Sequence, residues 1–371
     1  FAADINSIIF VYGSKTDSEA RTDFVSLESY SSKKVRQAIS FKRKDLKPGK
    51  WFYLRAPKMF MEKIYPKLTH KLSDFADIKR GFTTGANDFF FMKDVSAQYE
   101  ADYLANPKKF EEWGVKARNE KELKDQGLIY IENEGGGRFA IEAKSVIPLL
   151  RSPKEIQTFL IDPPRTLCLY VSVPDRLTAN YIQYGEKMHF NKRRTVKSRK
   201  QWYKINELES GNILLSKTQY ERFFVLFSKS KVLCSDRFYI AYPHNDNYKK
   251  TIWLFLNSTI SLILMELSCN RQGGGARTLE VNDYERLLTP DLETLQLEDD
   301  ETLLDRKPEK YIKEIYLEER RKLDLIVFEV LGIKNFSLDE FYKEFVDLVE
   351  DRLIRANRPL RSQEAGDEQD S

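Results

Sequence analysis

The stretch Lys187–Lys204, KMHFNKRRTVKSRKQWYK, constrains this chain more than any other. It holds eight Lys or Arg and no Asp or Glu. So dense a run of like charge stays against solvent or against a polyanion and does not enter a core. His189, Phe190, Trp202 and Tyr203 are interleaved with the cations. Basic side chains neutralise phosphates and release counterions, which gives sequence-independent affinity for nucleic acid. Aromatic and guanidinium planes add stacking and cation–π contacts. A solvated basic loop has the same composition, so the run is weighed against the rest of the chain.

The formal net charge of +4 conceals an asymmetry. Residues 291–371 carry 23 acidic and 13 basic side chains, a net of −10. Of the chain's 57 acidic and 61 basic residues, 34 and 48 fall in residues 1–290, a net of +14. The pattern is a basic body with an acidic appendage, one surface suited to a polyanion and another to protein or solvent. At 371 residues the length fits two or three domains, and 24 Phe and 19 Tyr supply packed cores. Cys168, Cys234 and Cys269 are far apart with no CxxC spacing. That argues for a reducing compartment and against both a disulfide framework and a zinc site. The three histidines, His70, His189 and His244, are scattered too. The most apolar stretch, Ile252 to Leu267, is interrupted by Asn257, Ser258 and Thr259 and falls short of a membrane span. The chain opens on Phe1 without a charged n-region, which reads as a piece of a longer, cytoplasmic protein.

In chain order, residues 5–12 and 22–27 are short β-type runs and read as a hairpin or as two edge strands. From Phe41 to Arg80 there are 12 Lys/Arg against 4 Asp/Glu, with Trp51, Phe52, Tyr53, Phe60 and Tyr65 among them, and 57–64 suits a short helix. The sequence DIKRGFTTGANDFFFM, 77–92, is a glycine-punctuated loop leading into a β-type run. Gly81 and Gly85 permit close backbone approach or positive φ. Thr83, Thr84 and Asn87 are short hydrogen-bonding side chains suited to phosphates or base edges. A tight turn between strands accounts for the same residues, and no Walker lysine is present. Residues 97–127 are helical with breaks at Pro107 and Gly114, and 128–132 and 139–141 read as paired strands joined by a loose, flexible connection at Gly135-Gly136-Gly137. Asp162-Pro163-Pro164 has the form of an amino-methyltransferase base-holding motif, but Arg165 stands where its aromatic belongs. A strand at 167–173 and a helix at 175–184 lead to the basic stretch; strands at 212–216, 223–227, 231–234 and 238–242 follow. Residues 252–267 read as one buried helix. Arg271 and Arg277 flank Gly273-Gly274-Gly275, a pattern that brings backbone N–H groups to a phosphate or serves as a joint before a strand at 278–281. Helices at 309–331, stopped by Gly332, and from Ser337, with Glu340 completing a capping box, form a C-terminal pair.

In their order these segments resemble the C-terminal half of bacterial adenine-N6 DNA methyltransferases of the TaqI-like and type IIG restriction–modification group. The likeness is carried by GFTTGANDFF (81–90), IPLLRSPKEI (147–156) and KRRTVKSRKQWY (192–203). It continues in LNSTISLILMEL followed by GGGARTLEVND, and in RKLDLIVFEVLG (321–332). It implies an α+β fold: a β-rich mixed α/β target-recognition domain over 46–290 and a helical region over 291–357. Residues 1–45 would be the tail of an upstream catalytic domain, and 358–371 a disordered tail. It also implies double-stranded DNA as partner, and S-adenosylmethionine as cofactor of the full-length protein with none held by this segment.

Within that likeness, Arg193, Arg194, Arg199 and Arg277 have donor forks suited to guanine, and Asn87 and Gln201 suit adenine. Lys192, Lys197 and Lys200 are positioned as phosphate contacts. Arg151 and Lys154 of the 147–156 block, Arg271, and the Trp202–Tyr203 pair complete the candidate DNA-binding set, with Thr83 and Thr84. Three other functions stay open. One is a non-specific single-strand or RNA binder that stacks bases on Trp202 and Tyr203. Another is an adaptor subunit acting through its acidic helices. The third is an enzyme using Asp162-Pro163-Pro164.

Overall fold

The computed structural model describes residues 21–27, 34–42, 56–161, 164–205, 208–271, 275–295, 297 and 305–355. The fold is α+β, with antiparallel sheets and helices segregated into two interleaved units. The first comprises residues 1–78, 216–225 and 243–371; the second comprises 79–215 and 226–242. The chain enters and leaves the second unit twice.

The second unit is organised on a five-stranded antiparallel sheet. Its order is Arg138–Glu142, Leu128–Asn133, Phe91–Asp94, Thr166–Leu169, Val146–Leu149. The turn between the first two strands is tight. Asn133 Oδ1 accepts from the Gly137 N–H at 2.9 Å, and Gly136 has φ +79°. The triple glycine is thus a built hairpin turn and not a loose connection. Short helices Tyr99–Ala105, Pro107–Trp113 and Glu120–Asp125 bury Tyr99, Phe110 and Leu123 in a satellite core with Tyr130. Pro107 starts the second of them and Gly114 ends it in a left-handed cap, as expected from sequence.

Helix Arg176–Lys187 buries Leu177, Tyr181 and Ile182 along one stripe against the sheet. Its N-terminus is capped from a distance. The Glu142 carboxylate accepts from the N–H groups of Leu177 (3.0 Å) and Thr178 (2.8 Å) and from the Thr178 hydroxyl (2.5 Å). Burial alone would raise the Glu142 pKa, but these hydrogen bonds outweigh it and hold the group below its usual value. The charge on the carboxylate also faces the positive end of the helix.

A four-stranded sheet has the order Val225–Leu233, Ser210–Ser216, Phe238–Pro243, Ala76–Arg80. The runs expected at 223–227 and 231–234 form one long strand. Arg21–Leu27 pairs antiparallel with Val35–Lys42, from Arg21↔Lys42 to Leu27↔Val35. The β-type run expected at residues 5–12 lies outside the described residues, as do Trp51, Phe52, Tyr53, Asp162, Pro163 and residues 356–371.

The first unit is built on two apolar helices, Lys249–Asn257 and Thr259–Ser268. They are bent by 71° at Ser258 and are not the single helix read from sequence. The cause lies in the polar interruption. The side chain of Asn257, the last residue of the first helix, bonds both the N–H and the C=O of Val225 (2.9 Å each), and Ser258, with extended backbone, caps the next helix. Among the described residues no single helix is long and apolar enough to cross a membrane; this bent pair passes that test only when joined.

Helices Glu318–Val330 and Leu338–Arg355 follow. They are not an appendage. Asp324 is buried and accepts from Thr259 N–H (2.7 Å), the Thr259 hydroxyl (2.6 Å) and the Tyr342 hydroxyl (2.9 Å). Arg352 donates to Glu266 at 2.9 Å and to the Gly275 carbonyl.

Candidate nucleic-acid interface

The basic stretch lies in the second unit, and its alternation has a simple physical form. Phe190, Val196, Trp202 and Ile205 point into the sheet core, while Lys192, Arg193, Arg194, Lys197, Lys200, Gln201 and Lys204 face solvent. The interleaved aromatics are the seat of the segment. Trp202 is 9% exposed, with its ring centroid 4.7 Å from that of Phe89, and its indole N–H donates to Glu186 at 3.1 Å. Phe89 in turn stacks on Tyr181 at 4.6 Å and 7°. Gly185 makes this contact possible: a Cβ there would stand 2.6 Å from both the Phe89 and Trp202 rings. The expected stacking role of Trp202 is therefore corrected, because its faces are already covered by protein. Tyr203 is half-buried beside it.

The glycine-punctuated loop lies directly on this segment. Its N-terminal end is fixed where Gly81 passes the strand edge at Cys234 and Ser235. A Cβ on Gly81 would meet the Ser235 carbonyl oxygen at 2.2 Å. Its C-terminal end is fixed by Phe89 and Phe90, both fully buried. Between them, Gly85 adopts φ +80°. The Thr84 hydroxyl donates to Asn87 Oδ1 (2.6 Å), so Thr84, fully buried, shapes the loop and is corrected from a contact residue to a structural one. Thr83 and Asn87 are exposed at the tip.

Three side chains of the basic stretch reach back to this loop. Arg193 forms a two-pronged pair with Asp88 (2.5 and 2.6 Å) and lies over the Phe190 ring at 4.6 Å. The hydrogen-bonded guanidinium holds the Asp88 carboxyl below the ordinary carboxylate range. The Thr195 hydroxyl donates to the Gly85 carbonyl at 2.7 Å. Half-buried Arg199 donates through Nη2 to the Thr84 carbonyl at 2.8 Å and sits over Phe90. Its Nη1 is buried with no hydrogen-bond partner among the described residues. Asp88 and Thr195 escaped sequence reasoning. The available signal was an acid in a loop preceding a run that has none.

The remaining candidates divide. Lys192, Arg194, Lys197 and Lys200 are exposed and have no ion-pair partner among the described residues. Gln201 and Lys154 are also exposed. Arg151 is committed to Glu134 and lies over Phe91 at 5.3 Å. Arg271 and Arg277 belong to the first unit. Arg271 forms the two-residue strand Asn270–Arg271. Arg277 is 0% exposed, packs 3.8 Å over Phe223 and bonds Gln219 and Glu266; its expected guanine-reading role is corrected to a core role. Among the described residues no group of three or more His, Cys, Asp or Glu is placed to hold a metal ion.

A family model described as Type II methyltransferase M.Eco57I, C-terminal domain, matches residues 157–322. Two solved structures are similar to this chain. One is the type IIG restriction endonuclease BpuSI, at 16% identity and a TM-score of 0.47, covering 86% of this chain and 36% of that one. The other is the type IIL restriction-modification enzyme MmeI in complex with DNA, at 14% identity and 0.36, covering 77% and 37%. The chain thus spans little more than a third of either structure. No curated protein matches.

Proposed function

We propose that this chain is the sequence-specific double-stranded DNA recognition part of a restriction–modification adenine-N6 DNA methyltransferase. The observation that carries the proposal is the division of labour at the basic stretch. Aromatic residues anchor it in the core, and Lys192, Arg194, Lys197 and Lys200 are left facing solvent beside a fixed loop whose tip presents Thr83 and Asn87. Exposed cations on a rigid support neutralise phosphates, and short polar side chains at a tip reach base edges. The second unit has 26 basic and 19 acidic residues, a net of +7, so the surrounding field favours a polyanion. The family match spans the whole basic stretch. In this reading the methyl transfer belongs to an upstream catalytic domain that uses S-adenosylmethionine, in a bacterial cytoplasmic enzyme with or without a nuclease. Burial of Trp202 weighs against the single-strand stacking alternative, which loses its main platform.

Selection of bound duplexes from a randomised DNA pool at moderate salt tests this. Enrichment of one short adenine-containing motif is the expected result. Binding without enrichment, or preference for single strands, would replace the proposal with a non-specific nucleic-acid protein; no binding at all would favour an adaptor.

A further inference from the structure

We infer that Arg193, Thr195 and Arg199 do not contact nucleic acid but act as positioning residues that hold the 83–88 loop in its reading shape. This rests on the reading of the site as a DNA interface. The loop is fixed at its ends by Gly81 against the 234–235 edge and by buried Phe89 and Phe90. Its middle is tied to the rest of the unit by the three side chains named: on the Thr84 carbonyl (2.8 Å), the Gly85 carbonyl (2.7 Å) and the Asp88 carboxylate (2.5 and 2.6 Å). The bonds within the loop, Thr84 hydroxyl to Asn87 and Ala86 N–H to Thr84, shape it without attaching it.

An arginine whose fork is filled by a carboxylate must break two charge-assisted bonds before it can take up a guanine. Arg193 is in that state, and Asp88 cancels its charge towards phosphate as well. Arg199 has turned its donor edge inwards to backbone carbonyls. The stretch therefore splits its cations. Lys192, Arg194, Lys197 and Lys200 meet phosphate, while Arg193 and Arg199 set the position of Thr83 and Asn87, which read bases. Asp88 acts as a specificity-determining residue because it keeps one cation from adding indiscriminate affinity.

Binding of the full chain to its selected duplex and to a scrambled duplex, across a salt series, separates the two jobs. Arg199→Ala is expected to lower the ratio of specific to scrambled affinity by about tenfold or more with the salt slope unchanged, and Arg199→Lys to restore part of the ratio. Lys197→Ala is expected to lower the slope by about one with the ratio kept. Asp88→Asn, by releasing Arg193, is expected to raise the slope by about one and to tighten binding to the scrambled duplex. An Arg199→Ala protein that loses about one unit of slope and keeps its ratio would make Arg199 a phosphate contact and overturn the inference. A second measurement needs no DNA. Amide exchange over residues 83–88 is expected to speed up by about tenfold in Arg199→Ala. Unchanged exchange would overturn the inference even if the wild-type chain selects a motif, whereas failure of the wild type to select any motif would strike the proposed function alone.

Discussion

Arg277, Arg320 and Arg352 in the first unit and Arg193, Arg194 and Arg199 in the second show one side chain in opposite states. The first three are 0%, 0% and 2% exposed. Glu266 lies between two of them, 3.4 Å from Arg277 and 2.9 Å from Arg352, and Glu314 holds Arg320 at 2.8 Å. The second three sit at the surface, and among the described residues only Arg193 has a carboxylate partner. Local acid supply decides the outcome. A cation next to a buried carboxylate is drawn into the core to satisfy it, because an unpaired buried charge costs several kcal/mol. A cation in a run without acids stays in water. The charge total of a segment therefore says little about where its arginines go; among the described residues the acidic tail contributes two buried carboxylates, Glu314 and Asp324, while others such as Glu318, Glu329, Asp339 and Asp347 face solvent.

The sharpest way to break this contrast is Glu266→Ala, which leaves two buried guanidiniums facing one another. It should destabilise the protein by about 3–5 kcal/mol in urea unfolding, whereas Arg194→Ala should stay within about 0.5 kcal/mol. Equal effects would mean that the two sets of arginines do not differ as described. Gly81→Ala comes next. Its Cβ would lie 2.2 Å from a backbone oxygen that cannot swing aside, so a loss of about 1–3 kcal/mol is expected, with the loop displaced from the strand edge.

A smaller, pH-dependent effect distinguishes the buried network further. Burial pushes the Glu314 pKa up, but the Arg320 and Arg306 guanidiniums outweigh it and hold the group below its usual value. A depressed carboxylate contributes stability that is present above its unfolded pKa of about 4.3 and is lost as pH falls through the folded value. Thermal unfolding of wild type and Glu314→Gln should therefore differ most near neutral pH and converge at acid pH, and a gap that widens on acidification would contradict the assignment.

Much of the second unit was legible in the sequence. The strands at 128–132 and 139–141, the breaks at Pro107 and Gly114, and the helix before the basic stretch follow from periodicity and punctuation. The fixed loop was visible as a glycine pattern, and its contact with the basic stretch was not, because that contact joins residues more than a hundred positions apart. Arg277 was misplaced for the same reason. Its partners come from two other segments, Gln219 and Phe223 from one and Glu266 from the second apolar helix. One clue was local: Glu266 is the single charge in the apolar helix TISLILMELS, and such a carboxylate demands a cation from elsewhere. The bend at Ser258 was foreshadowed by Asn257, Ser258 and Thr259, a capping sequence inside an apolar run.

The interleaving of the units bears on how a chain like this can be altered by recombination. The second unit is drawn from residues 79–215 and 226–242, and the segment between them belongs to the other unit. A single crossover inside 79–242 would join half of one parent's sheet to half of the other's, and the mismatched strands would have to pair across an untested register. On the proposed DNA-reading role, a new binding preference would be acquired by point changes at the loop tip, or by exchanging 79–242 whole together with the ten-residue passage it encloses.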